Sequence, residues 1–531
     1  MKQFYLTKKL LSAALAGAMV VSLTACGGNA SSPATSAAGG GDKAAQSAEA
    51  GTSGEPKYKR DIVMTYDVNI DSSDPQAFNN PQHKRLYMLT HTPLLVYNPE
   101  TLELLPGAAE SWEVADDLVT WTFHLRQGMM FHNGEELKAD DVVFTWERGT
   151  ESSYSAIQPQ FAAAKVEAKD DYTVVLTLED ANMDYAYIIS QPSFGILNRK
   201  AFQDSPDRGY NVGTGAFKLK ELVESDYCVV ERFDGFWDGL VPTEEITFKT
   251  MLEPSAALIA LQNGEVDICV KVNTEEYGIV EADPTIDLIR FTGGSLNYLA
   301  VNASKAPTDN VKLRQAIACA INIDEIIAGA EGGEGERAKT FWGWNQFGYN
   351  DKVQPYEQNV EKAKELMKEA GYENGLNLEV VAFATNYVRI SEIMQAQLAE
   401  IGITLSVKQM DFSAATEYST SRQHEMMLIG FSNNPYGDDS RRSHTPGIAS
   451  NRSAMDNAEI MELFDQAQQE TDEAKRIEAY CRIQEITHEE AAAIPLYFNK
   501  IGMATRKGLH DMWIEPGNCH NLTYAYITLA E

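Results

Sequence analysis

Between Ile390 and Val407 a helical pattern runs directly into a strand. Ile390, Met394, Leu398 and Ile401 recur at helical spacing, Gly402 follows, and Ile403, Leu405 and Val407 then alternate with polar residues. Glycine takes the left-handed conformation past a helix end without a Cβ penalty, so Gly402 is read as the stop. A helix that feeds a strand in this way belongs to an open α/β sheet with helices on its faces. The same grammar recurs nearby. Val360 to Ala370 ends at Gly371, and Leu313, Ile317 and Ile321 keep helical spacing after Asp309, a candidate cap. Asn457 to Glu490 reads as two amphipathic helices before an apolar strand at Ile494 to Phe498.

Strands dominate the first half. Val119, Trp121, Phe123 and Leu125 alternate with Thr120, Thr122, His124 and Arg126 after a turn at Asp116-Asp117, the period of a half-buried strand. Thr173 to Leu178, Ala216 to Leu219, Tyr227 to Arg232 and Glu245 to Lys249 read likewise. With 531 residues, 44% of them hydrophobic, the chain has material for a large core, and the pattern predicts an α/β body of at least two lobes.

The amino terminus is an export signal. Lys2, Lys8 and Lys9 precede the uncharged, Ala- and Leu-rich run Leu10 to Ala25, which is short against the ~20 residues of a membrane span. Leu23-Thr24-Ala25-Cys26 resembles the bacterial lipobox, which implies cleavage after residue 25 and lipid attachment at Cys26. Several acyl chains suffice for stable anchoring. Residues 27 to 56 contain no Leu, Ile, Val, Met or aromatic side chain and are expected to form a tether rather than a packed element.

The net charge of −33 excludes sequence-independent binding to nucleic acid or to anionic headgroups, because like charges repel. Cys228, Cys269, Cys319, Cys481 and Cys519 have no CxxC spacing. The first four lie in apolar-patterned segments and read as small core residues, and no disulfide framework is visible. Catalytic constellations are also missing from the sequence. It has no GxSxG, HExxH or GxxxxGK[ST], and Gly332-Gly333-Glu334-Gly335 reads as a loop rather than a phosphate cradle. Nine histidines occur without metal-ligand spacing, so no metal and no cofactor are expected. The secreted-hydrolase alternative would need a nucleophile with a base, which the sequence does not display.

A series of ordered blocks carries a resemblance. Asp74-Pro75, Pro93 to Pro99, Leu105 to Val114, Thr120 to Gly128 with Phe131-His132-Asn133-Gly134-Glu135, and Ala139 to Phe144 resemble the large solute-binding proteins of peptide-type ABC importers, extracellular solute-binding protein family 5. Val212 to Phe217, Phe236-Trp237-Asp238-Gly239, Leu261 to Asp267 and Leu313 to Ile317 follow in the family's order. The blocks also have local readings: Gly213 and Gly215 permit a tight turn around Thr214, and Asp140-Asp141 would cap a helix.

The resemblance covers Tyr58 to Glu531. It implies a two-lobed, periplasmic-binding-protein-like fold of type II, cluster C, with an extra domain at about 92–205 inserted in the first lobe. Lobe 1 is expected at 58–298 plus 499–531 and lobe 2 at 299–498. The chain would cross between lobes near Leu299 to Asn302 and return near Leu496 to Asn499. Function follows the same line: a lipid-anchored monomeric receptor outside the cytoplasmic membrane that grips a short peptide, does no covalent chemistry, and delivers its cargo to an ABC permease. A nickel chelate, a glutathione-like compound or an oligosaccharide is the alternative cargo.

A peptide presents a cation at one end and an anion at the other, and enclosing either unpaired costs several kcal/mol, so a closed site needs an acid and a base. In dipeptide- and oligopeptide-binding relatives an aspartate after a Trp-led loop reads the amine. The matching stretch here is Gly430 to Asp439, with Phe431 in place of Trp and no Asp-Pro. Phe431, Asn433 and Tyr436 are expected contacts, with Asp438 or Asp439 as the amine reader. Arg389, ahead of the helix containing Gln395 to Gly402, resembles an arginine that reads the carboxylate, and its guanidinium offers a bidentate fork. Phe78-Asn79-Asn80-Pro81-Gln82 is the expected loop from the other lobe, with Asn79 and Asn80 as contacts. Arg441, Arg442 and His444 lie where nickel- and metallophore-binding relatives use Arg or His.

Overall fold

The computed structural model describes residues 58–77, 81–154, 157–515 and 519–529, and Lys59–Ile527 forms one compact unit. Cys26, Asn79 and Asn80 lie outside the described residues. An eleven-stranded sheet runs through the unit. Its order from one edge is Ile403–Gln409, Leu376–Ala382, Met426–Ser432, Ile286–Val301, Ala493–Arg506, Ile268–Val272, Asp61–Tyr66, Glu245–Thr250, Tyr227–Arg232 and Phe217–Val223, with Gly335–Arg337 added on Ala493–Arg506.

The helix-to-strand unit forms as its pattern requires. Thr385–Ala399 buries Ile390, Met394 and Leu398 against the parallel strands Leu376–Ala382 and Ile403–Gln409. Gly402 has φ +84°, and a Cβ at the adjoining Gly375 would meet the Gly402 carbonyl oxygen at 2.4 Å, so the two loops touch backbone to backbone. Two caps differ from expectation. Helix Val311–Ala320 is capped by Asn310, whose side chain accepts the Lys312 N–H, and not by Asp309. Asp140 and Asp141 lie inside the first turn of helix Ala139–Thr150, where Asp141 accepts the backbone N–H of the N-cap Lys138. An amide or carboxylate serves only at the one position from which it reaches a free N–H, and the sequence pattern is uncertain by a residue or two there.

Two long strands join the halves. Ile286–Val301 and Ala493–Arg506 pair antiparallel from Ile286 opposite Arg506 to Ala300 opposite Ala493, with the register slipping between Thr292 and Leu296 and again between Asn297 and Tyr298. Such slips bend a sheet. The returning strand is longer than the apolar run at Ile494 to Phe498 because it continues through Asn499 and Lys500, the polar residues at the bend.

A separate four-stranded sheet lies in the stretch expected for the inserted domain. Its order is Ala109–Val114, Thr120–Leu125, Thr173–Leu178 and Ala164–Asp170, with Trp121, Phe123 and Leu125 all buried as their alternation requires. Gly213 and Gly215 pack on the end of helix Pro81–Thr90, where a Cβ would come within 2.1 Å of the Thr90 carbonyl and 2.2 Å of the Leu89 carbonyl, respectively. That turn is scaffold. Cys228, Cys269, Cys319 and Cys481 are free thiols, the first two buried and the other two half-buried.

Candidate functional site

Three features stand out. The first is a crevice of about 430 Å³ lined by Asp67, Gln82, Arg85, Lys271 to Glu275, Tyr277, Asn499 and Lys500, all within the bounds expected for lobe 1, with Glu331 from those expected for lobe 2. Its size falls within the range of small-molecule sites. Its charged residues are of both signs, which suits a dipolar solute better than a simple ion. Behind it Asn297 donates to Asn499 at 2.6 Å and receives the Tyr387 hydroxyl at 3.2 Å, fixing the bulged strands to helix Thr385–Ala399.

The second feature is the loop after strand Met426–Ser432. Asn433 is 1% exposed, and its backbone N–H donates to the Gly294 carbonyl at 3.0 Å. Among the described residues neither its side-chain oxygen nor its nitrogen has a partner, and Asn345 Oδ1 and the Ser440 and Ser443 hydroxyls share that condition. A Cβ at Gly343 would lie 2.5 Å from Asn345 Oδ1 and 2.7 Å from Asn433 Nδ2, so the two amides face one small space. Buried polar groups in native proteins are nearly all paired, and a cluster of orphans marks a place where a polar molecule or water belongs.

The third is a buried seam between the inserted domain and the helices at Ala458–Gln469 and Glu473–Glu490. Asp184 bonds Arg476 through Oδ1, and its Oδ2 accepts the Tyr480 hydroxyl and the Asp438 backbone N–H, each at 2.7 Å. The Met183 N–H donates to the Gln468 carbonyl at 2.9 Å, and the Tyr187 and Phe347 rings lie 5.8 Å apart.

The expected site residues separate on this geometry. Asp439 is consumed within its own loop, accepting the Asn434 N–H at 2.9 Å and its side-chain amide at 2.8 Å. Asp438 sits in the seam with Oδ1 unpartnered. Phe431 and Tyr436 are buried, Phe431 packing on Phe341 at 4.9 Å and under the Arg442 guanidinium at 4.6 Å. Arg389 is exposed inside helix Thr385–Ala399 rather than ahead of it, and among the described residues it has no hydrogen bond or ion pair. Arg441 pairs with Asp465 at 2.5 Å. His444 is spent on Ser440 and Thr487, and burial lowers its pKa to about 4. Sequence reasoning missed Asn345, Arg85, His520 and Asp184. None belongs to a motif, and each gains meaning only from what the fold sets beside it.

Burial, and then the neighbouring Asp184 carboxylate, push Asp438 well above the usual carboxylate range, against Arg441 and Gln468. If the seam parts, Asp438 returns toward the ordinary carboxylate range, so joining the seam takes up a proton at a pH between that range and the raised value. The joined form is then fully favoured below the ordinary carboxylate range and loses that contribution as pH rises toward the raised value. Cargo affinity measured by calorimetry between about pH 5 and 8 is expected to fall with pH in the wild type and to flatten in Asp438→Asn.

Comparison with known proteins agrees with this architecture. The model of the bacterial extracellular solute-binding proteins, family 5 (middle region), matches residues 103–451. The dipeptide-binding protein of Escherichia coli (strain K12) is 28% identical over 506 residues, covering 88% of this chain and 92% of its own. The glutathione-binding protein GsiB of the same strain is 27% identical over 475 residues, covering 86% and 92%. The structure of HbpA2 from Haemophilus parasuis superposes with a TM-score of 0.81 at 24% identity, covering 88% of this chain and 99% of that one. With a family model spanning well over half its length and the two-lobed fold in place, the chain belongs to the bacterial extracellular solute-binding proteins of family 5.

Proposed function

We propose that this chain is the receptor of an ABC importer, anchored outside the cytoplasmic membrane by lipid on Cys26, which binds a short peptide between its lobes and passes it unaltered to the permease. It acts as a monomer and performs no covalent chemistry. The lobes divide near Tyr298 and Asn499, and closure is a hinge motion about the bent strand pair. The observation that carries this reading is the crevice beside the bent strand pair, whose lining bears both signs of charge and sets Glu331 of the expected second lobe against residues of the expected first. A zwitterionic peptide matches such walls, and the dipeptide-binding relative supports the cargo class.

A solute that binds only the folded protein raises its melting temperature, by ~2.7 kcal/mol of stabilisation at a hundredfold excess over Kd. Purified protein is expected to melt higher with di- and tripeptides than with nickel–histidine or oligosaccharide, and each peptide should be recovered intact. A shift with glutathione alone would overturn the peptide cargo, and cleavage of a bound peptide would overturn the receptor reading. Intact mass of the protein from a bacterial host tests the anchor: the expected species starts at Cys26 and carries acyl chains.

A further inference from the structure

The crevice contains a cation with unfinished bonding. Arg85, on helix Pro81–Thr90, is 4% exposed. Its Nη1 reaches Asp67 Oδ1 at 3.4 Å, a long contact, and its buried Nε has no partner among the described residues. His520 lines the same crevice, is 2% exposed, and leaves both ring nitrogens without a partner. It meets Arg85 because helix Pro81–Thr90 packs on the short strand Cys519–Asn521. Burial, and then the Arg85 charge, keep its imidazole neutral, so one ring N–H is available to donate.

The missing partner is an acceptor with negative charge. Two adjacent buried side chains with three unpartnered nitrogens are far from the near-complete pairing of native interiors. Asp67 pairs with the guanidinium through Nη1 alone and leaves Nε unmet, and Glu331 is engaged by the Tyr497 hydroxyl at 2.6 Å. A carboxylate seated in the crevice would accept from Arg85 and from His520 together, both charge-assisted bonds. Three acids, Asp67, Glu275 and Glu331, share the lining with Arg85, Lys271 and Lys500, so a bare polyanion is disfavoured and the anionic end of a dipolar molecule is favoured.

We propose that Arg85 and His520 form the subsite for the free carboxylate of the cargo. The proposal rests on the peptide-receptor reading and replaces the exposed Arg389 as the carboxylate reader.

The test is calorimetry on the full chain with two tripeptide libraries, one bearing free carboxyl ends and one amidated. The wild type is expected to bind free acids about tenfold or more tighter than amides. Arg85→Gln should reduce that ratio to near one, costing free-acid binding far more than amide binding, and Arg389→Ala should leave the ratio intact. His520→Gln, which retains a donor and adds no charge, should keep part of the discrimination, so the assignment does not depend on Arg85→Gln folding. Equal affinity of the wild type for both libraries, equal loss of both in Arg85→Gln, or loss of discrimination in Arg389→Ala would each overturn the subsite. If the wild type binds neither library, the peptide reading itself fails, and the two failures are thereby distinguished.

Discussion

Arg476→Met is expected to weaken cargo binding about a hundredfold and to increase the radius of gyration in solution scattering. Arg476 is the cation that balances Asp184, which is 0% exposed, and the Tyr480 hydroxyl and Asp438 N–H alone would be left to hold that carboxylate. Removing one member of a buried ion pair typically costs ~3–5 kcal/mol, because the remaining charge is stranded without solvent. The protein has a cheaper response available. The seam joins the Asp184 segment to helix Glu473–Glu490 and the Asp438 loop, so parting it returns Asp184 to water, and under the proposed two-lobed grip every 1.4 kcal/mol moved from the joined to the parted form is about a tenfold loss in cargo affinity. The pair itself is not the source of stability. Asp184→Leu combined with Arg476→Met removes both desolvation costs and is expected to restore most of the affinity, since an apolar pair in the same place is often neutral or better. If the double variant is as weak as the single, the seam does not act through charge.

Trp342→Ala should produce the largest loss of stability, ~3–5 kcal/mol in urea unfolding of the protein. The side chain is 0% exposed, stacks on Phe464 with centroids 6.1 Å apart, and packs against His444 at 5.7 Å. Its backbone N–H donates to the Thr340 hydroxyl at 3.1 Å, which fixes the loop carrying Gly343 and Asn345. A cavity there removes the support beneath the two unpartnered amides as well as the packing. Trp342→Phe is the informative contrast. The indole Nε1 is buried without a partner among the described residues, so replacing it with a benzyl ring loses volume but also removes an unsatisfied donor. The Phe variant is expected within ~1.5 kcal/mol of wild type. A lowered midpoint with unchanged slope would assign each change to stability rather than to altered compactness.

Much of the fold was legible because its signals are local. Ile390, Met394, Leu398 and Ile401 specify a buried helix face within three turns, and Trp121, Phe123 and Leu125 specify a strand within five residues, whatever lies elsewhere. The loop at Gly430 to Asp439 was singled out by resemblance, yet the contacts within it were not legible. Whether Asp439 reads a ligand or ties down Asn434 depends on the loop's backbone path, which places both Asn434 donors within 2.9 Å of the carboxylate. The Asp309 reading failed by one residue for the same reason: capping depends on reaching a particular N–H, and a pattern of residue types does not fix that geometry.

The amino-acid order alone set the alternation of helices and strands, the α/β class and the family blocks, because periodicity and turn chemistry are written within short windows. The fold decided which polar groups meet. Arg85 and His520 come from opposite ends of the chain and are brought to one wall by a helix packing on a short strand, and Asp184 finds Arg476 only across the seam. The register slips in the paired strands Ile286–Val301 and Ala493–Arg506 are likewise a matter of the fold. Register is a property of two strands together, so neither strand's sequence specifies it by itself.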